Sequence, residues 1–301
     1  MIVCIGEVLV DIIQGVSFPG GSVFNTALAA RRLGAPVVFL DNISEDIYGK
    51  QIMAALANDG IIVPDSFCRD SRPTMYSKVT FDAKGQASYE FKTEGTATIN
   101  LNHKQISYEL NKIDNISIIQ IGSVGITLEP SASAILNAIN DYCEKNPDVI
   151  LFVDPNFRPT LIEDKKSYCE ALKKILIKAD IVKLSDEDLK YLMFTESFDE
   201  AVKEFASLRK SDFIVTLGAN GAQWYRKDNV ISVSGSKIVV CDTIGAGDTF
   251  NGALLYFIEH KAKSPVAFTD EECQEALLFA SHAAEINCTR QGCNPPRLEE
   301  L

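Results

Sequence analysis

The chain lacks any apolar run of the ~18 residues that a membrane-spanning helix needs, and no basic segment leads into an apolar one at its start. The opening Met1-Ile2-Val3-Cys4-Ile5-Gly6 reads as a first strand, so neither a membrane protein nor a secreted precursor is expected. Positive charge is short: 29 Lys and Arg against 41 Asp and Glu leave a net charge of −12. Such a surface repels nucleic acid and anionic membranes unless a basic patch intervenes. The nearest thing to one, Lys261-Ala262-Lys263, reads as a solvated helix end. Three histidines without H-E-x-x-H, and eight scattered cysteines without C-x-x-C, argue against zinc. Cysteines in apolar runs such as Val240-Cys241 act as small hydrophobes. A reduced, cytoplasmic chain is expected.

What is present is an ordinary globular composition, 301 residues with 46% hydrophobic and 23% charged. At this length roughly 75% of the unfolded surface can be buried, enough for one large core. Continuous Val/Ile/Leu/Phe runs at residues 2–10, 37–40, 116–121, 149–153, 181–184, 213–217 and 237–240 predict strands covered on both faces. Helical periods fall between them at 22–33, 46–58, 130–145, 167–179 and 198–209, and Asn58-Asp59-Gly60 reads as a helix stop. This alternation predicts a three-layer α/β/α domain with a mostly parallel central sheet. Residues 66–97 break the rhythm. Met75 to Phe81 alternates, Asp82-Ala83-Lys84-Gly85 makes a turn, and 87–91 alternates again. That is a β-hairpin with one wet face, either a small β-lid over a ligand crevice or a surface decoration. One domain spanning 1–301, with 66–97 as a lid insertion, is expected.

The most informative segment is Asp242-Thr243-Ile244-Gly245-Ala246-Gly247-Asp248-Thr249-Phe250, read as the junction between a β run and a helix. Gly-Ala-Gly there leaves the first helical N–H groups open, an anion pocket suited to a phosphoryl group in transfer. Asp248 in the first turn is either a catalytic base for an attacking hydroxyl or a helix N-cap. G-x-x-x-x-G-K-[ST], G-x-G-x-x-G and G-x-S-x-G are all absent, which removes the P-loop, dinucleotide and nucleophile-elbow readings.

The same segment resembles the D-T-x-G-A-G-D-x-F signature of ribokinase-like sugar kinases, the phosphofructokinase-B group. Pro19-Gly20-Gly21-Ser22-Val23-Phe24-Asn25-Thr26-Ala27 is similar to that group's G-G-x-x-x-N-x-A segment. Gly6-Glu7 through Asp11, Asp46-Ile47-Tyr48-Gly49, Asp154-Pro155-Asn156-Phe157-Arg158, Val215 to Ala222 and Cys288 to Gly292 match in order, so the resemblance covers nearly the whole chain.

The resemblance implies an ATP-dependent sugar kinase with Asp248 as base and Gly245, Ala246 and Gly247 as the anion hole. Asp11, Gly20, Gly21, Asn25 and Arg158 would meet the sugar; a carboxylate such as Asp11 suits vicinal hydroxyl donors. Lys183, Thr216, Gly218, Gly221 and Ser281 would meet ATP. Ser281 is preferred over its neighbour His282. Mg²⁺ would bridge phosphates mostly through water, and Asp242 matches a position that helps hold a monovalent cation, K⁺, in relatives. The family's N-x-x-E element reads Ser185-Asp186-Glu187-Asp188 here, so Asp188 replaces the usual Glu as Mg²⁺ ligand with a shorter reach. Leu161-Ile162 stands where an L-W pair is usual.

The D-P-N-x-R element resembles the fructokinase and 2-keto-3-deoxygluconate kinase branch more than ribokinase. Arg158 would fork onto a substrate carboxylate or a phosphate, or pair with Asp154. Lys92, where relatives often carry a flap Arg, favours a neutral ketohexose, hence fructose to fructose 6-phosphate. A non-catalytic sugar sensor on the same fold is the reading from another class. Relatives with a β-lid often dimerise through it, so a homodimer joined through 66–97 is expected.

Overall fold

The computed structural model describes residues 1–13, 15–81, 87–209, 211–226 and 229–301. In chain order the strands are β1 (Ile2–Ile5), β2 (Leu9–Ile13), β3 (Val16–Gly20), β4 (Val37–Leu40), β5 (Tyr76–Phe81) and β6 (Ala87–Lys92). Then follow β7 (Ile118–Gly122), β8 (Ile150–Asp154), β9 (Ile181–Ser185), β10 (Phe213–Thr216), β11 (Ala222–Tyr225) and β12 (Val230–Val233). The helices are α1 (Ser22–Arg32), α2 (Ile47–Asn58), α3 (His103–Leu110), α4 (Ser131–Cys143) and α5 (Lys165–Lys178). They continue with α6 (Asp186–Met193), α7 (Phe198–Leu208), α8 (Ala246–Lys261) and α9 (Asp270–Cys288).

Eight strands form the main sheet in the order β12-β11-β10-β9-β8-β7-β1-β4, all running parallel except β11, which pairs antiparallel with both β10 and β12. Helices cover both faces, giving the three-layer α/β/α fold. Ile2 and Cys4 point to the core under α1, α2, α8 and α9. Val3 and Ile5, one residue out of phase, point to the core under α3 to α7. Strands covered twice need apolar residues at every position, which is why their sequences do not alternate.

The second sheet is β3-β2-β5-β6. The period-two hairpin is there as β5 and β6. The Asp82–Gly85 turn expected between them lies outside the described residues, as do the side chains of Thr80, Phe81 and Tyr89. β2 and β3 add two strands that the sequence pattern did not separate. The apolar run 2–10 is not one strand: Gly6, at φ +150°, turns the chain out of the main sheet, and a Cβ there would stand 2.8 Å from Val23 Cγ2. Asp11 therefore does not end the first strand; it sits within β2, opposite Phe18 and Ser77.

Residues 237–240 are not a strand either. Val239 is 89% exposed, while Ile238 and Val240 line a cleft described below, so this apolar run is cleft wall and surface. The strands that complete that side of the sheet are β11 and β12, whose polar alternation reflects a half-covered edge.

One contact between helices sets the geometry of everything that follows. A Cβ built on Gly252 of α8 would stand 2.4 Å from Ala29 Cβ and 2.7 Å from Thr26 O, both on α1. The two helices cross where α8 has no side chain. Gly252→Val should therefore force them apart and lower stability by about 1–3 kcal/mol, read as a fall in urea midpoint; an unchanged midpoint would mean that the crossing is loose.

Candidate active site

One turn before Gly252 on α8 lies Asp248, and one turn before Ala29 on α1 lies Asn25. The helix crossing brings them together. Asn25 Nδ2 donates to Asp248 Oδ2 at 2.9 Å, and Ser22 Oγ donates to Asp248 Oδ1 at 2.7 Å. Asn156 Nδ2 adds a longer bond to Oδ1, 3.4 Å, and one of 2.8 Å to Ser22 Oγ. Asp248 is only 7% exposed, and burial pushes its carboxyl up from the ordinary range. The Asn25 and Ser22 donors and the Arg158 charge pull it back.

Asp248 is not the helix N-cap. That position belongs to Gly245, at φ +73°, and no side chain caps the first turn of α8; the Ala246 N–H turns back onto the Thr243 carbonyl at 3.2 Å. A Cβ on Gly245 would also meet Cys293 Sγ at 2.3 Å. Gly247 lies in the same turn, where an added Cβ would stand 3.2 Å from Lys183 Nζ.

Lys183, on β9, is buried and pairs with Asp154 Oδ2 at 3.1 Å; Asn251 Nδ2 donates to the same oxygen at 2.7 Å. Arg158 does not take the Asp154 partnership left open by the sequence. Its NH1 donates to Asn156 Oδ1 at 2.6 Å and to the Asn156 and Phe157 carbonyls at 3.2 Å. Its charge draws the Glu7, Asp11 and Asp248 carboxyls downward, against burial that pushes all three up.

These groups border a cleft of about 660 Å³. Arg158, Lys183, Asp188, Thr216, Gly218 and Gly221 line it, together with residues 245–248 and Ser281. On α9 the lining positions are Ser281, Ala284, Glu285 and Cys288, one helical face that leaves His282 outside. Five of the sequence-derived residues do not line it. Asn25 lies behind Asp248. Asp11 accepts from Ser77 Oγ in the second sheet, and a Cβ on Gly20 would strike its Oδ2 at 2.5 Å. Gly21, at φ +111°, caps α1 where a Cβ would meet Glu7 O at 2.7 Å. Asp242 holds the loop before α8, accepting from Ile244 N at 3.0 Å and Gly292 N at 2.9 Å.

Among the described residues no group of three His, Cys, Asp or Glu side chains could cage a metal. Asp188 is engaged in a capping box with Ser185 and accepts from Phe157 N–H at 3.1 Å. The acidic start of α6 borders the cleft, which suits a hydrated ion resting on phosphates rather than one enclosed by protein. Each Asp242 oxygen accepts from one backbone N–H and has further acceptor capacity.

A family model described as pfkB family carbohydrate kinase matches residues 1–300. The chain belongs to the pfkB family of carbohydrate kinases. It is 32% identical to a fructokinase of Rhizobium leguminosarum bv. trifolii over 90% of this chain and 85% of that one. A Xylella fastidiosa fructokinase with bound ATP superposes with a TM-score of 0.86, 26% identity, and coverage of 99% of this chain and 96% of that one. A Vibrio cholerae O395 fructokinase variant in fructose-, ADP- and potassium-ion-bound form gives 0.83 and 25%, with 97% and 93% covered.

For this pfkB kinase, sequence patterns missed Ser22, Asn156 and Glu7 as site residues. Ser22 and Asn156 stood inside matched motifs without a role. Glu7 is fully buried; its Oε1 accepts from Ser22 N at 2.9 Å and its Oε2 from Gly125 N at 3.2 Å. Only the fold reveals such burial, which pushes its carboxyl up to about 7 from 4.5.

That shift makes stability pH-dependent with a definite sign. Below about pH 4.5 Glu7 is protonated in both states. As pH rises toward 7 the unfolded chain releases the proton first, so the folded state loses up to about 3 kcal/mol relative to it. Glu7→Gln stays neutral. Its stability relative to wild type should climb between pH 5 and 7.5 and level off above; urea titrations with parallel pH slopes would rule this out.

Proposed function

We infer that the protein is an ATP-dependent fructose kinase that transfers the γ-phosphate to O6, with Mg²⁺ on the phosphates. The observation that carries the reading is the buried Asp248 carboxylate at the uncapped start of α8, at the inner end of the cleft. The names of its relatives support the sugar, and the ATP, ADP, fructose and potassium in the solved neighbours support the ligands. A non-catalytic sensor would have no need of that carboxylate.

In this reading Asp248 orients the sugar hydroxyl and takes its proton late, because phosphoryl transfer is largely dissociative. The uncapped start of α8 at Gly245 and Gly247 stabilises the transferring group without adding net charge, and the Ala246 N–H joins it by leaving the Thr243 carbonyl. Asp11, Gly20, Gly21 and Asn25 receive the sugar. Arg158 and Lys183 offset phosphate charge, and Thr216, Gly218, Gly221 and Ser281 receive the nucleotide. Mg²⁺, held by water and phosphate beside Asp188, would neutralise charge on the transferring group, and K⁺ would sit by the Asp242 loop.

We read the chain as one domain with the second sheet as its lid, in a reduced cytoplasmic setting; all eight cysteines are free. Val16 and Phe18, on the edge strand β3, are 55% and 47% exposed on one face, which supports a homodimer through that sheet. Sedimentation as a monomer at micromolar concentration would reject it.

Two variants test the chemistry. With ATP and a panel of fructose, ribose and 2-keto-3-deoxygluconate, Asp248→Asn should bind nucleotide normally but lose at least ~10²-fold in kcat. Near-normal turnover would remove the base assignment. Asp11→Ala should raise KM for fructose roughly 5- to 150-fold, the effect of about 1–3 kcal/mol from one unpaired hydroxyl. Should ATP affinity collapse instead, Asp11 serves the fold or the nucleotide.

A further inference from the structure

Asn156 follows β8 with φ +37°, in the left-handed region. Backbone geometry alone would be served at least as well by glycine. The side chain, however, is engaged at both ends. Oδ1 accepts from Arg158 NH1 at 2.6 Å, and Nδ2 donates to Ser22 Oγ at 2.8 Å. Ser22 Oγ in turn donates to Asp248 Oδ1 at 2.7 Å. The donors run in one direction from the cation to the carboxylate, so each bond polarises the next. Asn156 N–H is anchored on Asp154 Oδ1 at 3.1 Å, the carboxylate that also holds Lys183.

We propose that Asn156 is a positioning residue, whose amide links the Arg158 guanidinium through Ser22 to Asp248 and fixes the geometry of both charged groups for transfer. The proposal deepens the fructose kinase reading and rests on it for its kinetic consequence. Its electrostatic consequence stands on the geometry alone. Asp248 is faced by Ser22 and Asn25 from α1, Asp154 from β8, Arg158 from the loop after it and Cys293 near the C-terminus. Lys183 Nζ stands close to the preceding residue, 3.2 Å from where a Cβ on Gly247 would lie. Loss of the amide removes the Asn156 Nδ2 bond to Asp248 Oδ1 at 3.4 Å and releases Arg158, and both changes favour the protonated Asp248.

The test is Asn156→Gly, which suits the backbone and should fold with an unchanged or higher Tm. Expected are a kcat on fructose lowered about tenfold or more, KM for ATP within about twofold, and an upward move of the Asp248 carboxyl titration. That titration is followed by NMR of ¹³C-labelled aspartate, with Asp248→Asn for assignment, and should move by about half a unit or more. Ser22→Ala breaks the next link and should move it the same way. An unmoved Asp248 titration in Asn156→Gly overturns the proposal and leaves Asn156 a backbone residue only. Wild-type protein inactive on fructose would defeat the fructose kinase reading, while the titration would still decide the role of Asn156.

Discussion

The α1–α8 crossing is the constraint on which the site depends. Two helices from opposite ends of the chain approach until Gly252 rests against Ala29 and Thr26. At that separation Ser22 and Asn25 reach the Asp248 carboxylate one turn away. A wider crossing would leave Asp248 buried without donors, and burial without hydrogen bonds costs more than the open site gains. Packing of the apolar faces and placement of the carboxylate are thus one event.

Charge in the site is balanced locally rather than by the whole molecule. A chain of net charge −12 should repel a polyanionic nucleotide at long range. Close in, Arg158 and Lys183 are the full positive charges among the described residues that line the cleft, beside the first turn of α8. Lys183 is already matched by Asp154, so Arg158 carries most of the uncompensated field. Glu7, Asp11 and Asp248 all feel it. A carboxylate that is raised by burial and lowered by one cation can hold a proton in transit without keeping it.

Most of the parallel sheet and the start of α8 were legible in the sequence because their signals are local. A doubly covered strand shows itself in four apolar residues, and Gly-Ala-Gly-Asp at a helix start shows itself in four more. Residues 237–240 misled because an apolar run lining a cleft has the composition of a buried strand. The break after Gly6 was hidden because both halves are apolar and only the backbone angle separates them. Glu7 and the link from Asn156 to Ser22 were invisible for a different reason: those bonds join residues 15 to 134 positions apart, which only the fold brings within 3.2 Å.

The second sheet reaches the Asp248 carboxylate through covalent chain to α1 and then a hydrogen bond. β2 carries Asp11, β3 returns antiparallel to it, and Gly20 and Gly21 lead directly into Ser22 of α1. Gly20 makes room for the Asp11 carboxylate, and Gly21 lets the chain pass the Glu7 carbonyl. Glu7 then accepts from the Ser22 N–H while Asp248 accepts from the Ser22 hydroxyl. Two glycines and one serine therefore fix the spacing between the carboxylate on the second sheet and the carboxylate on α8. Any side chain at either glycine would alter that spacing before it touched a ligand.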